Sequence, residues 1–347
     1  MVLTIAAAVF VFGLLVLVHE LGHFLTAKLT GMRVDEFAIG FGPQLLAVKY
    51  GETVYSLRAV PLGGFNNIAG MDPETVEEAG DRAYLRKSVG ARMVVILAGS
   101  AMNLVLPIFL YWGVFFFSGV AQPNPEPVFG TVIAGKPAAE AGLREGDRVL
   151  AVDGAPIASW QEFIEALQQG AEGEQRTLVI DRGGEEQEVS VLPAYDKTAQ
   201  RSMIGVMNAA IMEHPGLIAS GSLAVQKTGA VISMMVQELY KLILKLSGEE
   251  LAGPIGVAQM AGEVAQMGFV PLLNFTAFLS LNLGIINLLP IPALDGGHFA
   301  GLCVEAVIGR PMGPRFTYYA QRVGIVLLVL LMVFATKNDI VRVFLGG

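Results

Sequence analysis

Two histidines and a glutamate form a His-Glu-x-x-His pattern within Val18-His19-Glu20-Leu21-Gly22-His23-Phe24. On a helix, residues four apart lie one above the other. Both imidazoles then project from one face, and the carboxylate between them can reach a water beside any ion they hold. These are the parts of a zinc site that hydrolyses a bond: two neutral nitrogen ligands and a general base. The setting is unusual, because no charged residue occurs from Met1 to Val18 and apolar character resumes from Phe24 to Ala27. Ionisable groups at membrane depth are expensive, which favours a metal partner over a chance match.

A second polar group lies in another apolar run, Asn282 to His298, which contains Asn287, Pro290, Pro292, Asp295, Gly296 and Gly297. The prolines stop or kink a helix, and the backbone groups they free are tolerable at membrane depth only against protein or a watery cavity. Asp295 follows at once, and its expected partner is the metal held by His19 and His23; a helix cap after Pro292 is the other job an aspartate does well there. Three protein ligands leave the open position that catalysis needs, so His298 is expected beside the ligand set and not in it. Asn287 reads either as glue between helices or as a polar contact in the site.

The elements that must position these groups belong to a membrane protein. The chain of 347 residues is 53% hydrophobic and 16% charged, with a mean hydropathy of +0.57, too apolar for an ordinary soluble chain of this length. A net charge of −8 without a basic stripe argues against nucleic acid. The single cysteine, Cys303, excludes an intrachain disulfide and a cysteine metal cluster. Residues 1–27 lack the basic start and small-residue cleavage site of a secretory signal, so they are expected to be a retained first transmembrane helix. At 1.5 Å per residue it reaches about 39 Å, enough to cross the hydrocarbon. Lys28, Arg33, Lys49, Arg58, Arg82, Arg86, Lys87 and Arg92 follow before the next apolar run, which places the loop 28–90 in the cytoplasm.

Within that loop, Val34 to Val60 reads as a small β-hairpin sheet. Glu36–Ile39 and Thr53–Leu57 favour strands, turn signals surround them, and Pro61-Leu62-Gly63-Gly64-Phe65 closes the sheet. It either packs only or offers an edge strand to an extended substrate. Residues 66–90 read as a solvated connection. Residues 91–117 form a second span, on which Gly99 and Asn103 share a face. The proline-rich 118–127 is a linker. From 128 to 195 the composition turns soluble and acidic, and the runs Val128–Val132 and Pro137–Gly154 resemble a PDZ domain of the bacterial, protease-associated kind. Residues 196–270 read as amphipathic or interfacial helices, with Leu217–Leu246 either at the membrane surface or packed on the preceding domain. A third span is expected over 271–298, a cytoplasmic loop over 299–317, a fourth span over 318–336 and a tail over 337–347. The expected fold is thus a multi-pass α-helical membrane protein of four transmembrane helices, with a small membrane-associated hairpin sheet and one α+β PDZ domain outside the cytoplasm.

His19-Glu20-Leu21-Gly22-His23, Gly99-x-x-x-Asn103, the PDZ-like segment and Asn-x-x-Pro-x-Pro-x-Leu-Asp-Gly-Gly at 287–297 occur in this order over nearly the whole chain. The arrangement resembles the site-2 protease family, in its bacterial regulator-of-sigma-E protease branch. Well-known members of that branch carry two tandem PDZ domains, whereas one is found here. The resemblance implies a zinc metalloendopeptidase of the bacterial inner membrane, with its N-terminus, PDZ domain and C-terminus outside the cytoplasm. It implies Zn²⁺ on His19, His23 and Asp295, Glu20 as catalytic base, and substrate contacts from Asn287 and a hairpin edge within Val34–Val60. The implied partners are the lipid bilayer and single-span membrane proteins, either anti-sigma factors or remnant signal peptides, trimmed first by an upstream site-1-type protease. The competing class is a metal-binding membrane transporter or an inactive PDZ scaffold, neither of which needs a base between the ligands.

Overall fold

The computed structural model describes residues 1–169, 174–196, 201–245 and 253–344. The chain divides into two compact units, one made of Met1–Ser118 with Gly216–Gly347 and the other of Gly119–Pro215.

In the first unit, α1 (Val2–Leu29) carries the His-Glu-x-x-His pattern. The chain then folds into two long antiparallel strands, β1 (Val34–Tyr50) and β2 (Thr53–Ile68). Both strands bend, so residues 36–39 of β1 pair with 54–57 and also with 64–67 of β2, while 44–50 pair with 53–58. The sheet therefore extends beyond the expected Val34–Val60. Gly63, at φ 119°, provides the backbone freedom that lets β2 continue through the segment expected to end it. Phe41, Leu45, Leu46, Val48 and Tyr50 are exposed along the outer part of β1, an apolar surface suited to lipid. At the hairpin turn, Glu52 accepts hydrogen bonds from Arg82 and Lys28. These cations hold its carboxyl at about 2. The expected solvated connection is partly a packed one: after β2, a short helix α2 (Val76–Ala79) and its neighbours bury Ala69, Ala79, Ala83 and Tyr84. The next long helix is α3 (Val89–Ser118).

The second unit opens with β3 (Val120–Pro123), β4 (Phe129–Val132) and α4 (Pro137–Glu140). It continues with β5 (Arg148–Val152), β6 (Ala155–Pro156), α5 (Trp160–Gln168), β7 (Arg176–Arg182) and β8 (Glu185–Val191). The strands β6, β5, β7 and β8 form a sheet in that order. Ser159 caps α5 by accepting from the Glu162 amide. Four further strands follow: β9 (Ala194–Asp196), β10 (Arg201–Met203), β11 (Val206–Asn208) and β12 (Ala210–Glu213). Here the expectation of amphipathic helices from residue 196 is corrected. β11 pairs with β4 and β12 with β3, so residues 206–213 complete the domain that seemed to end at 195. They are short polar-flanked strands whose pairing partners lie far back in the chain, and local periodicity does not reveal them. Phe129, Val149, Phe163, Leu178, Ile180, Val191 and Ile204 form the core of this unit. Burial alone would raise the Asp147 carboxyl, but bonds from Arg182 and the Arg144 amide outweigh it and hold the group below its usual range.

The first unit resumes with α6 (Leu217–Lys245), which packs on α3 through Ala224 and Tyr111. The Trp112 indole donates to the Leu217 carbonyl. Leu246, the expected end of this stretch, lies outside the described residues. α7 (Pro254–Gln266) packs against α1 around Ala7, Val11 and Leu15. α8 (Phe269–Asn287), α9 (Asp295–Ile308) and α10 (Pro314–Phe344) complete the unit. The third span, expected over 271–298, is thus corrected: its helix stops at Asn287, and Pro290 and Pro292 separate it from a new helix starting at Asp295. The expected loop 299–317 is helical through Ile308, and the expected tail is helical through Phe344; residues 345–347 lie outside the described residues. The carboxylate of Asp339 on α10 accepts the Gly253 and Gly256 amides and caps α7. Four helices are long and apolar enough to cross a membrane: Val2–Leu29, Val89–Ser118, Phe269–Asn287 and Arg315–Val341.

Candidate metal centre

One stripe of α3 is the template on which the site is built. Residues 95, 99 and 103 are one turn apart on that helix and face α1. Gly22 brings the two helices together, because a Cβ there would lie 2.7 Å from the Ala98 carbonyl carbon. Gly99 does the same for a side chain, since a Cβ would overlap the His23 ring. The Val95 carbonyl lies 2.7 Å from His23 Nδ1. A carbonyl only accepts, so Nδ1 carries the proton and Nε2 keeps its lone pair for a ligand. His19 Nδ1 lies 3.3 Å from the Asn103 amide nitrogen. Asn103 Oδ1 is buried with no partner among the described residues. Exchanging the two ends of that carboxamide presents the acceptor that a metal-bound His19 needs at Nδ1–H.

The third member comes from α9. A turn over 288–294 separates α8 from α9, with Ala293 at φ 81°, a conformation that a residue bearing Cβ adopts only under strain. Gly297 lets this turn lie close against the start of α9: a Cβ there would meet the Pro292 Cα at 2.9 Å. Asp295 is the first residue of α9, and its Oδ2 accepts from Ser100 Oγ at 2.8 Å. The bidentate pair of Arg92 on α3 with Glu305, further along α9, joins the same two helices.

These elements bring together three of the residues expected from sequence. His19 Nε2 and His23 Nε2 are 3.3 Å apart, and they stand 3.5 and 3.6 Å from Asp295 Oδ2. Tetrahedral zinc with bonds near 2.05 Å sets ligand atoms about 3.4 Å apart, so this triangle fits the ion. Its donor chemistry, two imidazoles and one carboxylate, fits as well. Asp295 thus lies where a third ligand could sit, and the helix cap left open by the sequence is not formed by its side chain. Glu20 sits on α1 between the two histidines, buried. Asn287 ends α8 half-buried, and its amide makes no hydrogen bond among the described residues. His298 lies one turn beyond Asp295, outside the cluster of three.

Sequence reasoning missed Ser100, which holds Asp295, and Asn66, whose Nδ2 donates to Glu20 Oε2. The hairpin segment nearest the base is Gly64–Asn66, just past the window Val34–Val60. Neither Ser100 nor Asn66 carries a local signal, because each acts through a partner remote in sequence.

The description of Peptidase family M50 matches residues 7–331. The regulator of sigma-W protease RasP of Bacillus subtilis is 31% identical, with 99% of each chain covered. The zinc metalloprotease RasP of Geobacillus kaustophilus is 32% identical, again with 99% of each chain covered. Among solved structures, the PDZ domain of the SdrC-like protein of Listeria innocua covers 26% of this chain and 100% of its own, at 27% identity and a TM-score of 0.22.

Proposed function

The chain belongs to peptidase family M50 and is a site-2-type zinc metalloendopeptidase of the membrane, and from that premise we propose that it hydrolyses peptide bonds inside the membrane-spanning segments of single-span proteins. The observation that carries this reading is a His-His-Asp cluster with a buried glutamate beside it, built on helices apolar enough to lie in a bilayer. His19, His23 and Asp295 would hold zinc, which supplies Lewis acidity and a water whose pKa falls to about 7. Glu20 takes a proton from the attacking water and returns it to the departing amine. The turn 288–294, with its helix broken by two prolines, supports access of water to this depth.

A substrate helix hides its carbonyls in its own hydrogen bonds and must open before attack. Residues 64–68 pair with β1 on one side, and among the described residues no strand pairs with the other side. An opened substrate adds there as a strand beside Glu20, and the Asn287 side-chain amide, without a hydrogen bond among the described residues, binds the freed backbone. Anti-sigma factors and remnant signal peptides are the proposed substrate classes, after an upstream protease has trimmed their outer portions. The protein lies in the bacterial inner membrane, with loop 28–90 in the cytoplasm and the N-terminus, C-terminus and PDZ-like unit outside it; the basic residues of that loop support this orientation. In the PDZ-like unit, a cavity of about 330 Å³ between α5 and residues 202–208, lined by Trp160, Phe163 and Ile204, supports binding of an exposed substrate end.

The test is Glu20→Gln in the full chain. Cleavage of a single-span test substrate is expected to stop while zinc stays near one per chain. Cleavage that persists in this variant overturns the mechanism.

A further inference from the structure

Asn66 stands on β2 and its Nδ2 donates to Glu20 twice, to the carboxylate Oε2 at 2.7 Å and to the backbone carbonyl at 2.8 Å. Both neighbours are acceptors, so the carboxamide can face them only through its NH2 group. Its Oδ1 is left buried with no partner among the described residues, a cost the arrangement accepts. The contact is close along the strand as well. A Cβ at Gly64 would lie 2.9 Å from Glu20 Cγ and 2.9 Å from Val16 Cγ1, so this part of β2 rests directly on the helix face that bears the base. A glutamate side chain samples many rotamers when nothing holds it, and a base that wanders by an ångström loses much of its effect.

We propose that Asn66 is a positioning residue for Glu20: by binding Oε2 it fixes the carboxylate and leaves Oε1 as the oxygen that exchanges the proton. The side chain of Asn66 bonds to Glu20 and not to His19, His23 or Asp295. It does belong to the strand proposed to receive substrate, so docking of substrate and alignment of the base share one element. The inference rests on Glu20 acting as the general base.

The experiment measures kcat and KM on a single-span substrate, zinc content and melting temperature for the full-length protein and for Asn66→Ala, Asn66→Asp, Asn66→Gln and Glu20→Gln. Asn66→Ala is expected to lower kcat roughly tenfold, the scale set by loss of a supporting hydrogen bond, with KM and zinc content unchanged. Asn66→Asp is nearly the same size but lacks the donor and sets carboxylate against carboxylate, so it should fall at least as far. Asn66→Gln keeps the NH2 group and should recover part of kcat. The proposal is overturned if Asn66→Ala or Asn66→Asp retains the original kcat, or if the loss appears in KM alone. Should Asn66→Ala lose zinc or melt early, the isosteric Asn66→Asp decides. Activity in Glu20→Gln would instead defeat the reading of the base itself, whereas an inactive Glu20→Gln beside a fully active Asn66→Ala defeats the role of Asn66 alone.

Discussion

Gly99 packs so closely on His23 that a single methyl group would overlap the imidazole. α3 is also held to α1 by Gly22 against Ala98, the residues directly preceding His23 and Gly99, so relief by sliding the helix is blocked at the neighbouring contact. Overpacking of this kind costs about 1–3 kcal/mol and displaces whatever is easiest to move, here the ligand ring. Gly99→Ala is expected to weaken zinc binding at least tenfold and lower the melting temperature, as read by competition with a chelator and by thermal scans. Zinc affinity equal to that of the parent would show that the ring has room. At this scale the legible residues were those whose chemistry lies in local spacing: His19, Glu20 and His23 fall within one turn and a fraction, and Asp295 announces itself by its cost in an apolar run. Ser100 and Asn66 were illegible because a serine on a helix and an asparagine in a strand are ordinary. Their partners lie 195 and 46 residues away.

The ligand set closes only if α9 sits correctly on α3, and two devices set that geometry. The turn 288–294 aims Asp295, and the Arg92–Glu305 pair joins the helices again at a second point. Arg92 is 5% exposed, so removing its partner leaves a buried cation. Glu305→Ala is expected to destabilise the protein by about 3–5 kcal/mol, visible as early melting in detergent. A melting temperature unchanged by this variant would mean that water reaches Arg92. Much of this scale was readable. Apolar runs marked α1, α3, α8 and α10, and the prolines at 290 and 292 marked the break before Asp295. A helix starting near Asp295 was legible only as the capping alternative, since an Asp-Gly-Gly run has poor helix propensity and tertiary packing decides that it is helical. The same limit hid β11 and β12, whose partners stand at the opposite end of their unit.

At the scale of the molecule, four apolar helices and the His-His-Asp cluster share one unit, while the segment 119–215 folds as another with its own core. Composition made the membrane setting plain, and the order of motifs made the family plain. What composition cannot convey is where in a substrate the bond is cut, and that is the central claim. Purified full-length protein should be incubated with a single-span substrate in lipid, and the product termini read by mass spectrometry, with Glu20→Gln in parallel. Termini inside the apolar span of the substrate, absent with Glu20→Gln, are the predicted result; termini found only outside that span, or unchanged with Glu20→Gln, would contradict it.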